Sequence, residues 1–572
     1  MSGGGPLDNL LVVRYLLETA RALEYLDENP FKIQAYRRAA RSIMELSVPV
    51  SEVVKEGGLS RVPGVGKGIA STIEAWVKDR DFSTLEELRA GLPRGIDELL
   101  KVPGIGLKRV RILHGRLGVE TVDELMEALR QGRLAGVRTF PGKFVQGLPR
   151  LLEQVMSYRG KYLLSTGLSR ADEVLSRLVA QGFKAELTGE CRRFSEIVEK
   201  VEILVEGSDR DCGILWSALG EPGCGPQGDT LELPALAGAP PVAVRLVSAE
   251  DRAVRLLVTT GSDAHLVALK NHASRIQVEI EGGVTLQGRE VRAEREEDIY
   301  RLLDLQYLPP EVREGRDSEL ARARAHTVPE LLDSRDIRGT IHNHTDLSDG
   351  VSSLAAMVRG ARERGYQWIG ISDHSQSAHY AGGLSEEAVA RQHREIDALE
   401  EELGDIAIFR GIESDILADG SLDYPPEVLE AFDFVIASIH SHMDMDRRRM
   451  TRRIVKALRN PFTTILAHPT GRLLLSREPY DVDMDEVLEE ALLNRVAVEL
   501  NANPMRFDLD WRLMDPFVSR GGIIAIGPDA HSVAGLDDMT YGIMMARKGF
   551  VTKESCLNTR DARGVREWFR KA

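Results

Sequence analysis

Cysteine is scarce in this chain. Four residues in 572, Cys191, Cys212, Cys224 and Cys556, lie far apart with no CxxC pair, which excludes a disulfide framework and a thiolate zinc site. Long hydrophobic runs are absent as well. The greasiest stretches, such as Phe434–Ile439, have the length of a strand, far short of the roughly 20 residues that span a bilayer. The start, Met-Ser-Gly-Gly-Gly-Pro, has neither the basic end nor the apolar stretch of a signal peptide, so a soluble, cytoplasmic protein with no membrane contact is expected. Positive charge is not in excess: 74 Lys+Arg against 89 Asp+Glu leave a net charge of −15. A nucleic acid could therefore be held only at local basic or backbone-donor sites, not by a global field. What is present suffices for folded cores, since 43 % of residues are apolar and 28 % charged, and the length corresponds to roughly four structural units.

Histidine is distributed unevenly. Nine of the 13 lie between His342 and His531, and only His114, His265, His272 and His326 fall outside. That clustering points to a metal or acid–base site in the C-terminal part. Residues 1–150 read as helical, with apolar residues at helical spacing over Leu10–Leu26 and with Ser83 and Thr121 as N-caps. Their charge is more balanced than that of the whole, with 18 Lys+Arg against 16 Asp+Glu over residues 1–120. From about 160 to 315 strands and helices mix, with β-rich runs at Val201–Val205, Val242–Val247 and Ile276–Ile280. Residues 316–335 are charged and poor in large apolar side chains, and read as a linker. Beyond Asp336, strand-like and helix-like segments alternate up to a strand at Ile523–Gly527, the repetition of a βα barrel.

Each predicted barrel strand ends in a ligand-type side chain. His342 and His344 stand in His-Asn-His, followed by Asp349 in Ser-Asp-Gly. His374, Glu413, His440 and His468 end the next four strands, and Asp529 and His531 lie in Asp-Ala-His. Strand C-termini converge on one face of such a barrel. Six imidazoles and three carboxylates exceed the needs of one ion and suit two or three divalent cations. His379, His393 and His442 lack this placement. The series resembles the PHP (polymerase and histidinol phosphatase) family at all nine positions, over about 336–572. The resemblance implies a distorted (βα)7 barrel with a trinuclear Mn or Zn centre that cleaves phosphoesters, His342, His344, Glu413, His440 and Asp529 acting through the ions. Arg472, in His-Pro-Thr-Gly-Arg, is a candidate phosphate clamp.

Two short segments repeat forty residues apart, Val62-Pro-Gly-Val-Gly-Lys67 and Val102-Pro-Gly-Ile-Gly-Leu107. Gly64, Gly66, Gly104 and Gly106 permit tight turns whose N–H groups, with the N-terminus of the next helix, can cradle a phosphate. Lys67 and Lys108 add charge beside them, and the basic stretch containing Arg37 and Arg38 offers further contacts. The segments look like helix-hairpin-helix motifs, which grip the DNA backbone without reading sequence. With Thr260-Gly-Ser-Asp-Ala-His265 and Leu308-Pro-Pro-Glu-Val-Arg-Glu314, the order of segments resembles bacterial family-X DNA polymerases that carry a PHP domain. That resemblance covers essentially the whole chain. It implies a multidomain protein: a lyase-like helical domain at 1–80, a fingers-like domain at 81–150, an α+β palm at 151–250, a thumb at 251–315 and the barrel at 336–572.

The palm departs from the family. Its pattern of Gly-Ser-x-Arg-Arg-Gly, then an Asp-x-Asp strand, reads here Gly189-Glu-Cys-Arg-Arg-Phe194, then Glu199-Lys-Val-Glu202. Lys200 and Glu202 occupy the two aspartate positions, Ala243 the third, and Glu190 replaces the serine. Two-metal nucleotidyl transfer needs those acids. The lysine required for lyase chemistry is Thr72 here. The expectation is a metal-dependent 3′–5′ exonuclease, extending to cleavage at abasic sites, that binds gapped, nicked or 3′-ended DNA without sequence preference through a degenerate polymerase core. The alternatives are a working polymerase with an editing barrel, or a DNA-end scaffold. No protein partner is inferable.

Overall fold

A computed structural model describes residues 9–570 apart from 45, 47, 80, 209–210, 220–224, 228–229, 237 and 281–282. The opening Met1–Pro6 stretch and Cys224 lie outside the described residues; Cys191, Cys212 and Cys556 are free thiols. Among the described residues no helix is long and apolar enough to cross a membrane. The chain divides into two compact units, Met1–Arg159 and Gly160–Ala572.

The first unit is helical throughout. The apolar spacing noted in the sequence yields the helix Asn9–Tyr25, which packs on Pro30–Met44. Thr121 caps the helix Val122–Arg130 by accepting from Glu124 N–H. Ser83 is not a cap: Phe82 holds that position, and Ser83 is the first helical residue, its N–H given to Asp81 at 2.9 Å.

In the second unit a five-stranded sheet comes first. Val201–Glu206 and Val242–Val247 pair in parallel at its centre, with Lys184–Thr188 outside one and Thr230–Leu233 and Gly225–Gln227 beyond the other. The motifs quoted between 260 and 314 then converge on one small core. His265 meets the Tyr300 hydroxyl at 3.1 Å, and the buried Arg313 donates to Leu308 O and Glu296. Residues 316–335 are not the linker that their charge implies. Asp317–Ala325 is a helix, and its few apolar side chains, Leu320 and Ala323, join Leu331 in that core. The buried Glu319 carboxylate accepts the N–H groups of Glu314, Gly315 and Arg316 and so pins the helix start.

The C-terminal part is a seven-stranded parallel sheet in strict sequence order: Gly339–Thr340, Trp368–Ile371, Ala407–Asp415, Phe434–Ser438, Thr463–Leu466, Ala497–Asn501 and Ile524–Gly527. These strands are buried on both faces, as parallel sheets are. An Asn343–Ala530 bridge brings the first strand end to the last. The buried Asn558 amide joins the same seam by donating to Gly339 O and Ile526 O and accepting from Ile526 N–H. The result is a nearly closed barrel with one face formed by all the strand C-termini.

Candidate metal centre and nucleic-acid contacts

All nine residues singled out in the sequence meet at that face. They form four overlapping groups: His344, Asp349, His374 and His531; His342, Glu413 and His468; His342, His344 and Asp529; and His374, Glu413 and His440. Within each group the ligand atoms lie within 4.8 Å of one another. Glu413, 1 % exposed, is the hub. Its Oε1 stands 3.4 Å from His342 Nε2, 3.3 Å from His440 Nε2 and 3.0 Å from His468 Nε2. Its Oε2 stands 3.6 Å from His344 Nε2 and 2.9 Å from His374 Nδ1. Asp529 Oδ1 reaches His342 and His344 at 3.5 and 3.3 Å, and Asp349 reaches His374 and His531 at 3.5 and 3.2 Å.

Buried polar atoms ordinarily find partners. Here His342 Nε2 and both ring nitrogens of His344 are buried with no hydrogen bond. Burial raises the pKa of a carboxyl, yet the imidazoles of His374, His440 and His342 hold Glu413 well below the usual carboxylate range. Burial likewise works against charge on His374 and His440, but Glu413 and their other carboxylate neighbours, Asp349 and Asp415, lift them to about 10 and about 9. Ionised carboxylates packed among converging imidazole nitrogens, which shed their protons on binding a metal, are a donor set for divalent cations. The backbone is strained where it presents three of these groups: His342, His468 and Asp529 have φ of 64°, 26° and 54°. Such left-handed conformations persist at functional sites when the surroundings enforce them.

Several supporting residues escape a reading based on strand ends. Glu499 accepts from His342 Nδ1, and Asp415 Oδ1 lies 2.6 Å from His440 Nδ1, orienting each ring for its other nitrogen to face the cluster. Asn501 donates to Asp529 at 3.1 Å. Asp373 fastens the loop that carries Asp349 by accepting from Thr345 N–H and Oγ1 and from Ser348 Oγ. The available signal was the period of two along a strand, which places Asp415 on the face of Glu413 and Asn501 on that of Glu499. His379, His393 and His442 stay outside the cluster, and His393 packs edge-on against Phe432.

Arg472 is not free to clamp a phosphate. Its side chain is 11 % exposed, and its guanidinium donates to Arg506 O at 2.9 Å, Asp510 at 2.7 Å, Phe507 O and Glu196. Every face of the group is engaged. It ties the loop after His468 to a carboxylate of the preceding sheet domain, a role invisible in a local motif because Glu196 is 276 residues away.

In that domain the register pairs Glu202 directly with Ala243. Lys200 Nζ lies 2.7 Å from Glu202 Oε1, so the carboxylate at this strand is already paired with an ammonium. Arg192 bonds Thr260 and Glu296, and Arg193 bonds Thr260 O and Glu314; both serve to join the sheet domain to the helices that follow.

In the helical unit, Gly64 and Gly104 turn with φ of 77° and 82°, and a Cβ on Gly104 would come 2.8 Å from Phe144 Cε2. Gly66 and Gly106 cap the helices Lys67–Glu74 and Leu107–Leu117, and a Cβ at either would meet nothing within 4 Å. Lys67 and Lys108 are exposed beside these open turns. Arg38 packs against Gly64, whereas Arg37 pairs with Glu24 on the surface.

Comparison with known proteins matches these parts in order. Residues 7–82 match the helix-hairpin-helix domain and residues 96–138 the SAM-like helix-hairpin-helix tandem. Residues 255–314 match the DNA polymerase beta thumb and residues 340–503 the PHP domain. Asp529 and His531 lie beyond the PHP match, yet the fold returns them to the cluster. The chain is 27 % identical to a probable phosphatase of Thermoanaerobacter sp. over 40 % of its own length and 93 % of the relative's. It is 26 % identical to a probable phosphatase of Caldanaerobacter subterraneus over 38 % and 85 %. With the DNA polymerase/3′-5′ exonuclease PolX of Bacillus subtilis it shares 33 % identity over 98 % of this chain and 99 % of the relative. A match of that extent, running through hairpins, thumb and PHP barrel alike, makes the chain a member of the bacterial PolX family.

Proposed function

We propose that this protein is a metal-dependent 3′–5′ exonuclease whose PHP barrel is the catalyst and whose polymerase-like core and hairpins hold the DNA. The observation that carries this reading is the Glu413-centred cluster with its buried, unpartnered imidazole nitrogens. His342, His344, Asp349, His374, Glu413, His440, His468, Asp529 and His531 would hold two or three divalent cations, Mn or Zn. Bound there, such ions acidify an attacking water and offset phosphate charge. The chain's own residues do the rest: Asp415 and Glu499 orient the rings of His440 and His342, and Asn501 steadies Asp529. The hairpins at Gly64–Lys67 and Gly104–Lys108 offer backbone donors and lysine charge to the phosphates of gapped, nicked or 3′-ended DNA, whatever its sequence. Cleavage at abasic sites, a role in base excision repair and a place in the cytoplasm beside the chromosome accord with the same chemistry.

Templated synthesis is expected to be feeble. Lys200 neutralises Glu202, and Ala243 beside it supplies no ligand. The competing reading, a working polymerase with an editing barrel, draws on the B. subtilis relative, whose name carries both activities. Incubating wild type and Glu413→Ala with an end-labelled primer–template separates them. Metal-dependent shortening by wild type alone supports the exonuclease; extension unaffected by Glu413→Ala supports the polymerase.

A further inference from the structure

With Arg472 engaged elsewhere, the groups that meet the substrate at the mouth of the barrel must come from other loops. Among the described residues, two side chains there are held by no side-chain hydrogen bond. Tyr380, in the loop after Trp368–Ile371, is 70 % exposed, matched by Leu493 and exceeded by Phe31 among the large hydrophobic side chains of the described residues. Its ring nonetheless stands 6.0 Å from that of His374 and 6.1 Å from that of His440, edge-on to both. A large aromatic side chain left in water normally retreats to a core. This one instead keeps a face open beside two ligands of the cluster. Arg506, in the loop after Ala497–Asn501, is 19 % exposed, and the contact found for its guanidinium is a loose ion pair, Nε to Asp529 Oδ2 at 3.6 Å.

A guanidinium has five donors in a fixed fork matched to phosphate oxygens. Beside divalent cations its charge is offset on one side by Asp529, and a phosphate of the substrate would offset it on the other. The two loops follow the second and sixth strands of seven, so they face each other across the mouth.

We infer that Tyr380 and Arg506 form a two-sided grip on the terminal nucleotide, Tyr380 stacking on its base and Arg506 taking the non-bridging oxygens of its phosphate. This rests on the exonuclease reading and names the two side chains that hold the 3′ end. Stacking is indifferent to base identity, because every base has a π face. The grip therefore holds any sequence.

The test uses the full-length, metal-loaded protein on oligonucleotides ending in a 3′ thymidine or in a 3′ tetrahydrofuran residue without a base. Wild type should favour the base-bearing end by about tenfold in KM, the size of one stacking contact. Tyr380→Ala should erase that preference with kcat little changed, and Tyr380→Phe should restore it. Arg506→Ala should lower kcat/KM on both ends alike with bound metal unchanged. The inference is overturned if Tyr380→Ala keeps the wild-type preference, if wild type shows none, or if Arg506→Ala loses metal, which would make it a support for Asp529. Wild type degrading neither end would instead overturn the exonuclease reading, and this grip with it.

Discussion

Two acidic strands of this molecule began from similar premises and ended differently. In the barrel, Glu413 is buried among five imidazoles, each able to share a cation with it and none able to replace one permanently. In the palm, Glu202 is half-exposed, faces Ala243 across the sheet and already holds Lys200 at 2.7 Å. An imidazole nitrogen can take a metal in place of its proton, whereas the Lys200 ammonium is itself the cation that Glu202 holds. One carboxylate is thus poised for ions and the other is discharged internally. On the proposed reading, the palm serves as a scaffold for DNA while the separate barrel does the chemistry.

The comparison can be broken first at the barrel. Glu413→Ala should lower nuclease turnover by on the order of 10²–10³-fold and release bound metal, while DNA affinity measured by filter binding stays at the wild-type level. Undiminished turnover would place the active site elsewhere. Next comes the tie between the two regions. Arg472→Ala leaves Glu196 and Asp510 with Arg512 as their remaining cation, so the loss should reach at most the about 3–5 kcal/mol of a broken buried ion pair. Urea melts should show that loss with kcat per folded molecule nearly intact; a selective rise in KM would return Arg472 to the substrate. Asp415→Ala should weaken metal binding about 10–100-fold by removing the acceptor that orients His440, as read by chelator competition; an unchanged affinity would make Asp415 incidental. The smallest effect belongs to the palm: Glu202→Ala should leave both nuclease rate and DNA affinity within error. A fall in either would show that Glu202 is still at work.

These expectations trace what was legible in the sequence. Ligand-type residues at successive strand ends were visible because a parallel barrel has one functional face, so linear spacing maps onto a ring. Asp415 and Glu499 were harder, since nothing local marks a carboxylate as the partner of a distant imidazole. Arg472 misled for a related reason: its neighbourhood in sequence, beside His468, is a metal loop, but its partner Glu196 belongs to another domain. Residues 316–335 read as a linker because charge outnumbers bulk there. Three apolar side chains, Leu320, Ala323 and Leu331, were nevertheless enough to seat the segment in a core. The positive φ at His342, His468 and Asp529 had no signal at all, since the surrounding barrel and not the residue type imposes it.

The most direct measurement is a labelled primer–template incubated with the purified protein and Mn, with and without nucleoside triphosphates. A ladder of shorter products in both reactions, absent with Glu413→Ala, is the result expected of a barrel that cuts and a palm that only holds. A longer, template-matched product that appears with nucleotides and vanishes in Glu202→Ala would contradict it.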